Sequence, residues 1–406
     1  MISPIHNWVA EKTGLLNNLN PETLHNWQIE KLKNLIKYAS ENTSFYKDKL
    51  HITNDISELP FTLPSEIAND PFAFLAIPQN LVSRVTTLAN SGTTRLKKRI
   101  FFSESDLERT IDFFAIGMSS MVNKGEHAQI LISNRTENSL GSLLKESLSR
   151  IGVHSEISGA IKSVNSAIED ARKAGCLVGM PAEILYMSCV DETMRPKSVL
   201  LTADFIPQSI IERIKNTWKC NVFSHYGHTE FGYGFAVDCN HHNGFHLRSA
   251  DFIVEIINLQ TGKPANIGES GEIVITTLSN EAMPLIRYRT GNISSIIDSP
   301  CPCGCNLPQL GKLEGRIEST IPIGNDGTIS IHLLDEIIFA NSFVRGFNAA
   351  LYLEANKNTL LLTIDSTDTI DFSAIKDKLP QELNIKIKYD SVDPFFTRRK
   401  RRIQII

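Results

Sequence analysis

The sequence predicts an α/β protein with a large N-terminal part of parallel α/β subdomains and a small α+β part at its C-terminal end. Short apolar runs alternate with amphipathic segments between about residues 128 and 224, and β-rich segments separated by turns follow from residue 237. Strands that alternate with helices over short connections indicate a parallel sheet covered by helices on both faces. We expect one domain over 1–315 and a small mobile domain over 316–406.

Local signals place the elements of the first half. Apolar residues recur near helical spacing from Leu24 to Ala39, which predicts a helix over 21–50. Ser103, followed by Asp106 three residues later, resembles a capping box and predicts a helix that runs to about Val122. The same patterns predict strands over 81–87, 128–132, 176–180, 198–202 and 221–224, and helices over 139–151, 163–174, 182–190 and 207–218.

The pattern changes after about residue 236. Apolar segments over 253–257 and 272–277 are separated by Gly- and Pro-containing turns, which predicts an antiparallel, barrel-like region over 237–315. The last unit combines a strand over 359–363 with helices near 332–341 and 373–379.

Composition narrows the class of protein. The chain has 406 residues, of which 42% are hydrophobic and 21% charged, and this is ordinary globular composition. Its net charge of -4 gives no basic field that would recruit nucleic acid. Because no apolar run approaches the roughly 18 residues of a membrane span and the first residues lack a signal-peptide pattern, we expect a cytoplasmic protein without a membrane partner.

A loop rich in small polar residues directly follows the strand predicted over 81–87. It contains Ser91, Gly92, Thr93 and Thr94, and the basic residue Lys98 comes shortly after. Gly92 allows the backbone to approach an anion, the hydroxyl groups add donors, and Lys98 supplies a positive charge. Taken alone, such a cluster is more often a plain turn than a phosphate site.

The seven cysteines fall into two groups. Cys176, Cys189 and Cys220 lie in apolar segments and are expected to be inert core thiols. The others lie in polar, Gly- and Pro-rich surroundings close to several histidines. Two thiolates one residue apart, joined by a Cys and a His from a neighbouring turn, fit tetrahedral zinc. The preferred ligands are Cys239, His246, Cys301 and Cys303, with His242 and Cys305 as alternates, and a cluster of free thiols is the competing interpretation.

Three further strings complete the functional pattern. They are Ser224-His225-Tyr226-Gly227-His228-Thr229-Glu230, Met283-Pro284-Leu285-Ile286-Arg287-Tyr288-Arg289-Thr290-Gly291-Asn292 and Gly311-Lys312-Leu313-Glu314-Gly315-Arg316. Together with the loop, their order and spacing resemble the adenylate-forming superfamily, which includes acyl-CoA synthetases, adenylation domains of peptide synthetases and luciferases. Within it, the chain is similar to phenylacetate–CoA ligase-like proteins over about residues 20–320. Related sequences of that type carry a similar Cys and His set.

The resemblance implies that the chain uses ATP and Mg²⁺ to activate a small carboxylic acid as an acyl-adenylate. Coenzyme A or an acyl-accepting protein would then take the acyl group. The implied nucleotide-binding residues are Ser91, Gly92, Thr93, Thr94 and Lys98 around the phosphates, Ala203, Asp204 and Tyr226 around the adenine, Asn292 at the ribose and Arg316 at the hinge between domains. Thr229 would contact the α-phosphate, and Glu230 would bind Mg²⁺.

The resemblance also implies a catalytic lysine near the C-terminus. Lys400 is the lysine within the basic run Arg398–Arg402, and an ammonium group there suits a phosphorus centre that gains negative charge. Such a run is by itself more often a solvated patch.

Several residues depart from the family pattern. Arg95 and Lys97 replace a usual glycine and proline, and Asn292 stands where the family has aspartate. Three interpretations therefore stay open: a CoA ligase, an acyl-protein synthetase or stand-alone adenylation enzyme, and a catalytically weakened nucleotide-binding relative. Viewed singly, Glu230 could be a solvated carboxylate, and Arg287 and Arg289 could be strand-surface charges. Whether the chain acts alone or as a homodimer also stays open.

Overall fold

The computed structural model describes residues 2–89, 97–132, 134, 136–324, 327–354, 357–392 and 401–406. The chain divides into two compact units. The first unit comprises Met1–Ser120, Thr136–Gly152 and His225–Glu314, and the second comprises Met121–Arg135, Val153–Ser224 and Gly315–Ile406. The domain boundary predicted between residues 315 and 316 stays a prediction.

The described part of the chain contains helices and strands throughout, so the predicted α/β class is confirmed. The helices are α1 (Pro4–Thr13), α2 (Pro21–Asn42), α3 (Pro64–Asn69), α4 (Glu104–Met118), α5 (Leu140–Arg150), α6 (Val164–Ala171), α7 (Pro181–Val190), α8 (Gln208–Trp218), α9 (Ile331–Phe339) and α10 (Ser373–Lys376). No helix in these described ranges is both long enough and apolar enough to cross a bilayer.

The strands are numbered in the same way. They are β1 (Arg84–Ala89), β2 (Lys97–Phe102), β3 (His127–Ile130), β4 (His154–Ile157), β5 (Cys176–Gly179), β6 (Ser198–Leu201), β7 (Asn221–Tyr226), β8 (Ala236–Val237), β9 (Phe245–Leu247), β10 (Phe252–Ile257), β11 (Gly271–Thr277), β12 (Tyr288–Ser294), β13 (Ile296–Ile297), β14 (Gln309–Leu310), β15 (Gly315–Arg316), β16 (Thr320–Ile323), β17 (Gly327–Ser330), β18 (Val344–Glu354), β19 (Lys357–Ser366), β20 (Asn384–Tyr389) and β21 (Gln404–Ile405).

The second unit is built on a parallel sheet. Its strands lie in the order β4-β3-β5-β6-β7, and each neighbouring pair is parallel. All four residues of β5 and of β6 are buried, as expected for strands covered on both faces. The alternation predicted from the sequence therefore corresponds to a parallel sheet.

The C-terminal segment of the second unit shares a hydrophobic core with this sheet. Its own sheet has the order β20-β19-β18-β21, and α9 packs against β18 and α8. Leu177 on β5, Trp218 on α8, and Phe347 and Leu351 on β18 are fully buried members of one cluster. Burial of this apolar surface is the main stabilising contribution that joins residues 315–406 to the parallel sheet.

The first unit combines antiparallel sheets with helices. Strands β10, β11 and β12 pair in sequence, with a register shift near Glu272, and β8, β9, β14 and β13 form an antiparallel continuation beside the end of β7. The β-rich region predicted over 237–315 is therefore present. Strands β1 and β2 form a separate antiparallel pair on either side of residues 90–96.

Two helices show how local sequence sets element bounds. Ser103 caps α4 by accepting from the Asp106 N–H, while the Asp106 carboxylate accepts from the Ser103 N–H, so the predicted capping box is present. Helix α2 begins at Pro21 but ends at Asn42, which makes the prediction of a helix over 21–50 too long. The helix stops because Thr43 is extended and residues 44–49 turn.

We predict that the parallel sheet and the C-terminal segment unfold together. Leu177→Ala and Leu351→Ala each remove a fully buried side chain, and each should lower the free energy of unfolding by about 2–5 kcal/mol. Denaturant unfolding followed by circular dichroism should show one shared transition for the second unit in both variants. Lys388→Ala, at an exposed ion pair, is the control and should change stability by less than about 0.5 kcal/mol. A separate early transition in Leu351→Ala alone would contradict the shared core.

Candidate active site

A buried carboxylate lies just after β7 in the first unit. The Glu230 side chain is only 2% exposed, and Lys98 Nζ on β2 lies 2.5 Å from its Oε1 atom. The Tyr288 hydroxyl on β12 donates to the same oxygen at 2.9 Å, and His228 Nδ1 lies 2.5 Å from Oε2. Glu230 is therefore not a solvated carboxylate, and its contact with Lys98 joins two of the predicted site residues.

The electrostatic surroundings keep this carboxylate ionised. Burial alone raises the pKa of Glu230, but the charges of His228 and Lys98 and their hydrogen bonds outweigh it and hold the pKa well below its usual value. Lys98 also donates to the Tyr288 hydroxyl at 3.1 Å. The cluster thus holds a negative carboxylate and a positive ammonium in contact inside a largely buried pocket of side chains.

The turn that presents Glu230 depends on a glycine. A Cβ at Gly227 would lie 1.7 Å from the Tyr233 carbonyl oxygen and 2.6 Å from His225 Cε1, so only glycine fits. The chain then forms a short 3-10 turn over Thr229–Phe231, which ends at Gly232 in the left-handed region. This turn places Thr229 directly beside Glu230 at the end of a buried strand.

A second pair of predicted residues also meets. The Asn292 side-chain amide on β12 donates to the Tyr226 hydroxyl at 2.8 Å, and both residues are buried. The Tyr226 ring packs edge-on against Phe235, with the centroids 5.6 Å apart. Tyr226 is therefore a buried and fixed aromatic group, and its hydroxyl links β7 to β12.

The two arginines beside β12 are partners of buried carboxylates. Arg287 is buried and contacts Glu255 through two nitrogens, at 2.8 and 3.0 Å. Arg289 Nε donates to Glu272 at 2.7 Å. The interpretation of Arg287 as a strand-surface charge is therefore wrong, and both arginines hold the β-rich region together.

The remaining described candidates lie in the second unit. Ala203 follows β6 and has φ of +71°, which is strained for a residue with a Cβ. The Asp204 carboxylate accepts from the Phe205 N–H at 2.9 Å and from the Arg401 N–H at 3.2 Å. Arg316 lies on β15, at the start of the C-terminal segment. Ser91, Gly92, Thr93, Thr94 and Lys400 lie outside the described residues.

Four cysteine and histidine side chains converge in the first unit. The ligand atoms of Cys239, His246, Cys301 and Cys303 all lie within 4.8 Å of one another, and all four residues are buried. Cys239 Sγ and Cys301 Sγ are 3.7 Å apart, and Cys303 Sγ and His246 Nε2 are 3.5 Å apart. Tetrahedral Zn–S bonds of about 2.3 Å place two sulfurs about 3.8 Å apart, so the spacing fits zinc.

The alternates predicted for this site do not join it. His242 Nδ1 instead lies 2.8 Å from an Asp238 carboxylate oxygen. Cys305 is buried but stays outside the group of four, and its carbonyl accepts from the Cys301 N–H at 2.9 Å. Cys305 therefore shapes the turn that presents Cys301 and Cys303.

Sequence reasoning did not single out two residues of the cluster around Glu230. His228 lies inside the string that contains Tyr226 and Glu230, and Tyr288 lies between Arg287 and Arg289. The burial pattern of β12 alternates, with Tyr288, Thr290 and Asn292 buried on one face. That period of two was the signal that could have placed Tyr288 beside Asn292 on the inner face.

Curated relatives match most of the chain, although no protein-family model matches it. A phenylacetate-coenzyme A ligase of Thermus thermophilus is 25% identical over 338 residues, which cover 76% of this chain and 74% of the relative. Phenylacetate-coenzyme A ligases of Pseudomonas putida and Escherichia coli are 21% and 22% identical, over 85% and 80% of this chain and 82% and 79% of the relatives.

Solved structures of a CoA ligase have the same fold as this chain. A 2-hydroxyisobutyryl-CoA ligase in the postadenylation state, in complex with 2-HIB-AMP, has a TM-score of 0.79 at 16% identity and covers 94% of this chain and 89% of its own. The same ligase with CoA in the thioesterification state has a TM-score of 0.64, also at 16% identity, over 93% of this chain and 88% of its own. At these identities the likeness establishes the fold.

We predict that Lys98 and Glu230 depend on each other energetically. Lys98→Met leaves Glu230 buried without its ammonium partner, and it should lower the free energy of unfolding by about 3 kcal/mol. Lys98→Met/Glu230→Gln should lose clearly less than the sum of the two single changes. Urea denaturation measures all three variants. Arg150→Ala, at an exposed pair with Glu108, is the control and should cost less than about 1 kcal/mol. Strictly additive losses would show that the two groups do not interact.

Proposed function

We propose that this chain, which belongs to the adenylate-forming superfamily and is similar to phenylacetate–CoA ligases, activates a carboxylic acid with ATP and transfers the acyl group to coenzyme A. The observation that carries the proposal is the buried cluster of Lys98, Glu230 and Tyr288, with Tyr226 and Asn292 paired in the same unit. The curated relatives, matched over 76–85% of this chain, support the same reaction class.

The first step joins the acid to the nucleotide. A carboxylate oxygen attacks the α-phosphorus of ATP, the bond from that phosphorus to the pyrophosphate oxygen breaks, and an acyl-adenylate forms. The carboxylate is already ionised at neutral pH, so no general base is required. The contribution of the protein is positioning and electrostatic stabilisation of a phosphorus centre that gains negative charge.

Lys98 and Glu230 would bind different groups: Lys98 would bind the phosphate oxygens of the nucleotide, and Glu230 would bind the magnesium ion. Lys98 Nζ is the ammonium that phosphate oxygens would take from Glu230, and this exchange leaves the Glu230 carboxylate available to a cation. Mg²⁺ is usually bound through one or two carboxylates together with substrate phosphates, which matches a single buried Glu230. A bound Mg²⁺ would neutralise phosphate charge, and Thr229 would donate to the α-phosphate.

The nucleoside is held by the aromatic and polar residues around it. Tyr226 offers a ring fixed by Phe235 for the adenine, and Asn292 offers an amide for the ribose hydroxyls. Ala203 and Asp204 contribute to the base site, and Arg316 contacts phosphate or ribose. The neutral Asn292 loses the charge-assisted part of a ribose contact that aspartate would provide, about 1 kcal/mol.

The remaining parts of the proposal concern residues outside the described ranges and the acyl acceptor. Ser91, Gly92, Thr93 and Thr94 form the phosphate loop, and Lys400 contacts the reacting carboxylate and α-phosphate during adenylation. In the second step the coenzyme A thiol attacks the acyl carbon, and AMP leaves. An acyl-accepting protein in place of coenzyme A is the second candidate.

We predict pyrophosphate exchange into ATP that requires an acid but not coenzyme A. A panel of aryl and fatty acids should contain at least one acid that supports exchange, and Lys400→Ala should lower that rate at least about 100-fold because the transition-state charge loses its partner. Lys388→Ala, at an exposed site, is the control and should leave the rate unchanged.

The outcome separates the three candidate functions. Exchange followed by AMP and thioester formation on addition of coenzyme A supports the CoA ligase. Exchange without thioester favours an acyl-protein synthetase or a stand-alone adenylation enzyme. Measurable ATP binding with no exchange for any acid contradicts the proposal and favours a nucleotide-binding relative.

We also propose that Cys239, His246, Cys301 and Cys303 hold a structural zinc ion. The donor set is complete, since three sulfurs and one nitrogen fill the four positions of a tetrahedron and leave none for water. Burial lowers the pKa of His246 to about 4, which keeps its imidazole neutral. The site would join the turn at Cys301–Cys305 to β9 and thereby stabilise the β-rich region.

We predict about one zinc ion per purified chain. Cys303→Ser should lower the zinc content measured by plasma mass spectrometry and lower the thermal unfolding temperature, because a ligand and a cross-link between segments are lost. Cys220→Ser replaces a buried thiol outside the group and should keep the zinc. Wild-type protein without metal, or equal zinc loss in both variants, would contradict the site.

A further inference from the structure

The two oxygens of the Glu230 carboxylate have different partners. Oε1 lies 2.5 Å from Lys98 Nζ and accepts from the Tyr288 hydroxyl at 2.9 Å. Oε2 lies 2.5 Å from His228 Nδ1, and the histidine nitrogen donates in this contact because an ionised carboxylate only accepts. One oxygen is therefore held by groups from two other strands, and the other oxygen is held by a neighbour in the same turn.

Backbone hydrogen bonds and ring contacts hold His228 in place. Its carbonyl accepts from the Phe231 N–H at 3.1 Å and from the Tyr233 N–H at 3.0 Å. Its ring packs against the Phe231 ring with the centroids 5.2 Å apart, and edge-on against the Tyr288 ring at 6.1 Å. The His228 side chain is only 9% exposed. The contact between His228 and Oε2 is therefore a fixed part of the turn that carries Glu230.

The Lys98 contact differs from the His228 contact in origin and in exposure. Lys98 comes from β2, and its side chain is 13% exposed, whereas that of Glu230 is 2% exposed. In the proposed function, phosphate oxygens replace Glu230 as the partner of Lys98, and no group of the nucleotide is assigned to His228. Nucleotide binding would therefore release Oε1 from Lys98 and leave Oε2 bonded to His228.

We propose that His228 is a positioning residue that leaves Glu230 a single oxygen for the metal ion of the nucleotide and thereby favours Mg²⁺ over Ca²⁺. Mg²⁺ requires a nearly ideal octahedron, whereas Ca²⁺ accepts more oxygen ligands, including both oxygens of one carboxylate. A hydrogen bond from His228 to Oε2 opposes the two-oxygen arrangement that suits Ca²⁺. The proposal rests on the proposed function, because it takes Glu230 as the metal ligand and assigns His228 no contact with metal or substrate.

Loss of stability alone does not reveal this role. A histidine that only stabilises a buried carboxylate would also lower the free energy of unfolding when it is replaced. The ratio of the Mg²⁺ and Ca²⁺ affinities of one variant is a better measure, since general destabilisation weakens the binding of both ions alike. A hydrogen-bonding partner of a metal ligand typically changes metal affinity about 10- to 100-fold when it is removed.

Competition against Mn²⁺ measures this ratio without turnover. Full-length protein in excess over α,β-methylene-ATP, an analogue that cannot release pyrophosphate, is loaded with Mn²⁺. Mg²⁺ or Ca²⁺ is then added while electron paramagnetic resonance measures the free Mn²⁺. Wild-type protein should release its Mn²⁺ at a lower concentration of Mg²⁺ than of Ca²⁺.

Three substitutions of His228 separate its donor from its bulk. His228→Leu removes the donor and should weaken Mg²⁺ binding about 10-fold and Ca²⁺ binding less than about twofold. His228→Asn places an amide nitrogen near the position of Nδ1, so the ratio should stay within about twofold of wild type. His228→Gln carries its nitrogen farther out, near the position of Nε2, and should shift the ratio toward Ca²⁺ by at least about threefold. The last two variants decide the matter if His228→Leu does not fold.

A second histidine–carboxylate contact in the same unit provides the control. His242 Nδ1 lies 2.8 Å from Asp238 Oδ2, away from the cluster around Glu230. His242→Leu should leave the ratio of the two affinities unchanged. Thermal unfolding of all four variants measures the general loss of stability.

Three results would overturn the role of His228: an unchanged ratio in both His228→Leu and His228→Gln, an equal shift in His228→Asn, or an equal shift in His242→Leu. Wild-type protein that binds no Mn²⁺ with the analogue would contradict the proposed metal site at Glu230, and this proposal with it. Normal wild-type binding together with an unchanged ratio in the His228 variants contradicts only the positioning role.

Discussion

The buried carboxylate of Glu230 is the constraint around which the first unit is organised. An ionised group with 2% of its side chain exposed is tolerated only when charged and hydrogen-bonding partners surround it. Lys98 from β2, Tyr288 from β12 and His228 from its own turn satisfy that requirement. Because the partners come from three separate segments, one carboxylate fixes how a hairpin strand, a β-rich sheet and the end of β7 meet. In the proposed function, phosphate oxygens would bind Lys98 and a magnesium ion would bind Glu230, in place of the contact between these two side chains.

The fold was predictable where one physical signal dominated. Continuous apolar runs such as Cys176–Gly179 became fully buried parallel strands, and Ser103 with Asp106 formed the expected capping box. The end of α2 was missed because the helical prediction was extended beyond the apolar spacing, which ends at Ala39, and through Asn42, Thr43 and Ser44, which are poor helix formers. The inward alternation of Tyr288 and Asn292 was visible in the sequence, yet their partners come from β2 and β7. Only tertiary pairing reveals which buried polar groups meet.

Two of the residues that depart from the pattern of the resembled family, Asn292 and Lys97, lie in the described part of the chain. Asn292 lacks the negative charge that an aspartate would have. Its side-chain amide nevertheless donates to the Tyr226 hydroxyl, so a buried polar contact remains at this position. Arg401, which belongs to the basic run Arg398–Arg402, donates to Asp335 on α9 at 2.9 Å. The Cys and His group was predictable from spacing because one residue between Cys301 and Cys303 leaves few ways to arrange both thiolates. Lys97 is the first residue of β2 and directly precedes Lys98.

The most direct test of the account is the fate of oxygen from the acid substrate. If the carboxylate attacks the α-phosphorus, acid labelled with ¹⁸O in its carboxyl group should leave one labelled oxygen in AMP, because the bridging oxygen stays with the nucleotide when the thiol attacks the acyl carbon. Mass spectrometry of the AMP and inorganic phosphate formed with coenzyme A and wild-type protein measures this transfer. Label in AMP is the predicted result. Label in inorganic phosphate, with unlabelled nucleotide, would show acyl-phosphate chemistry and contradict the adenylate mechanism.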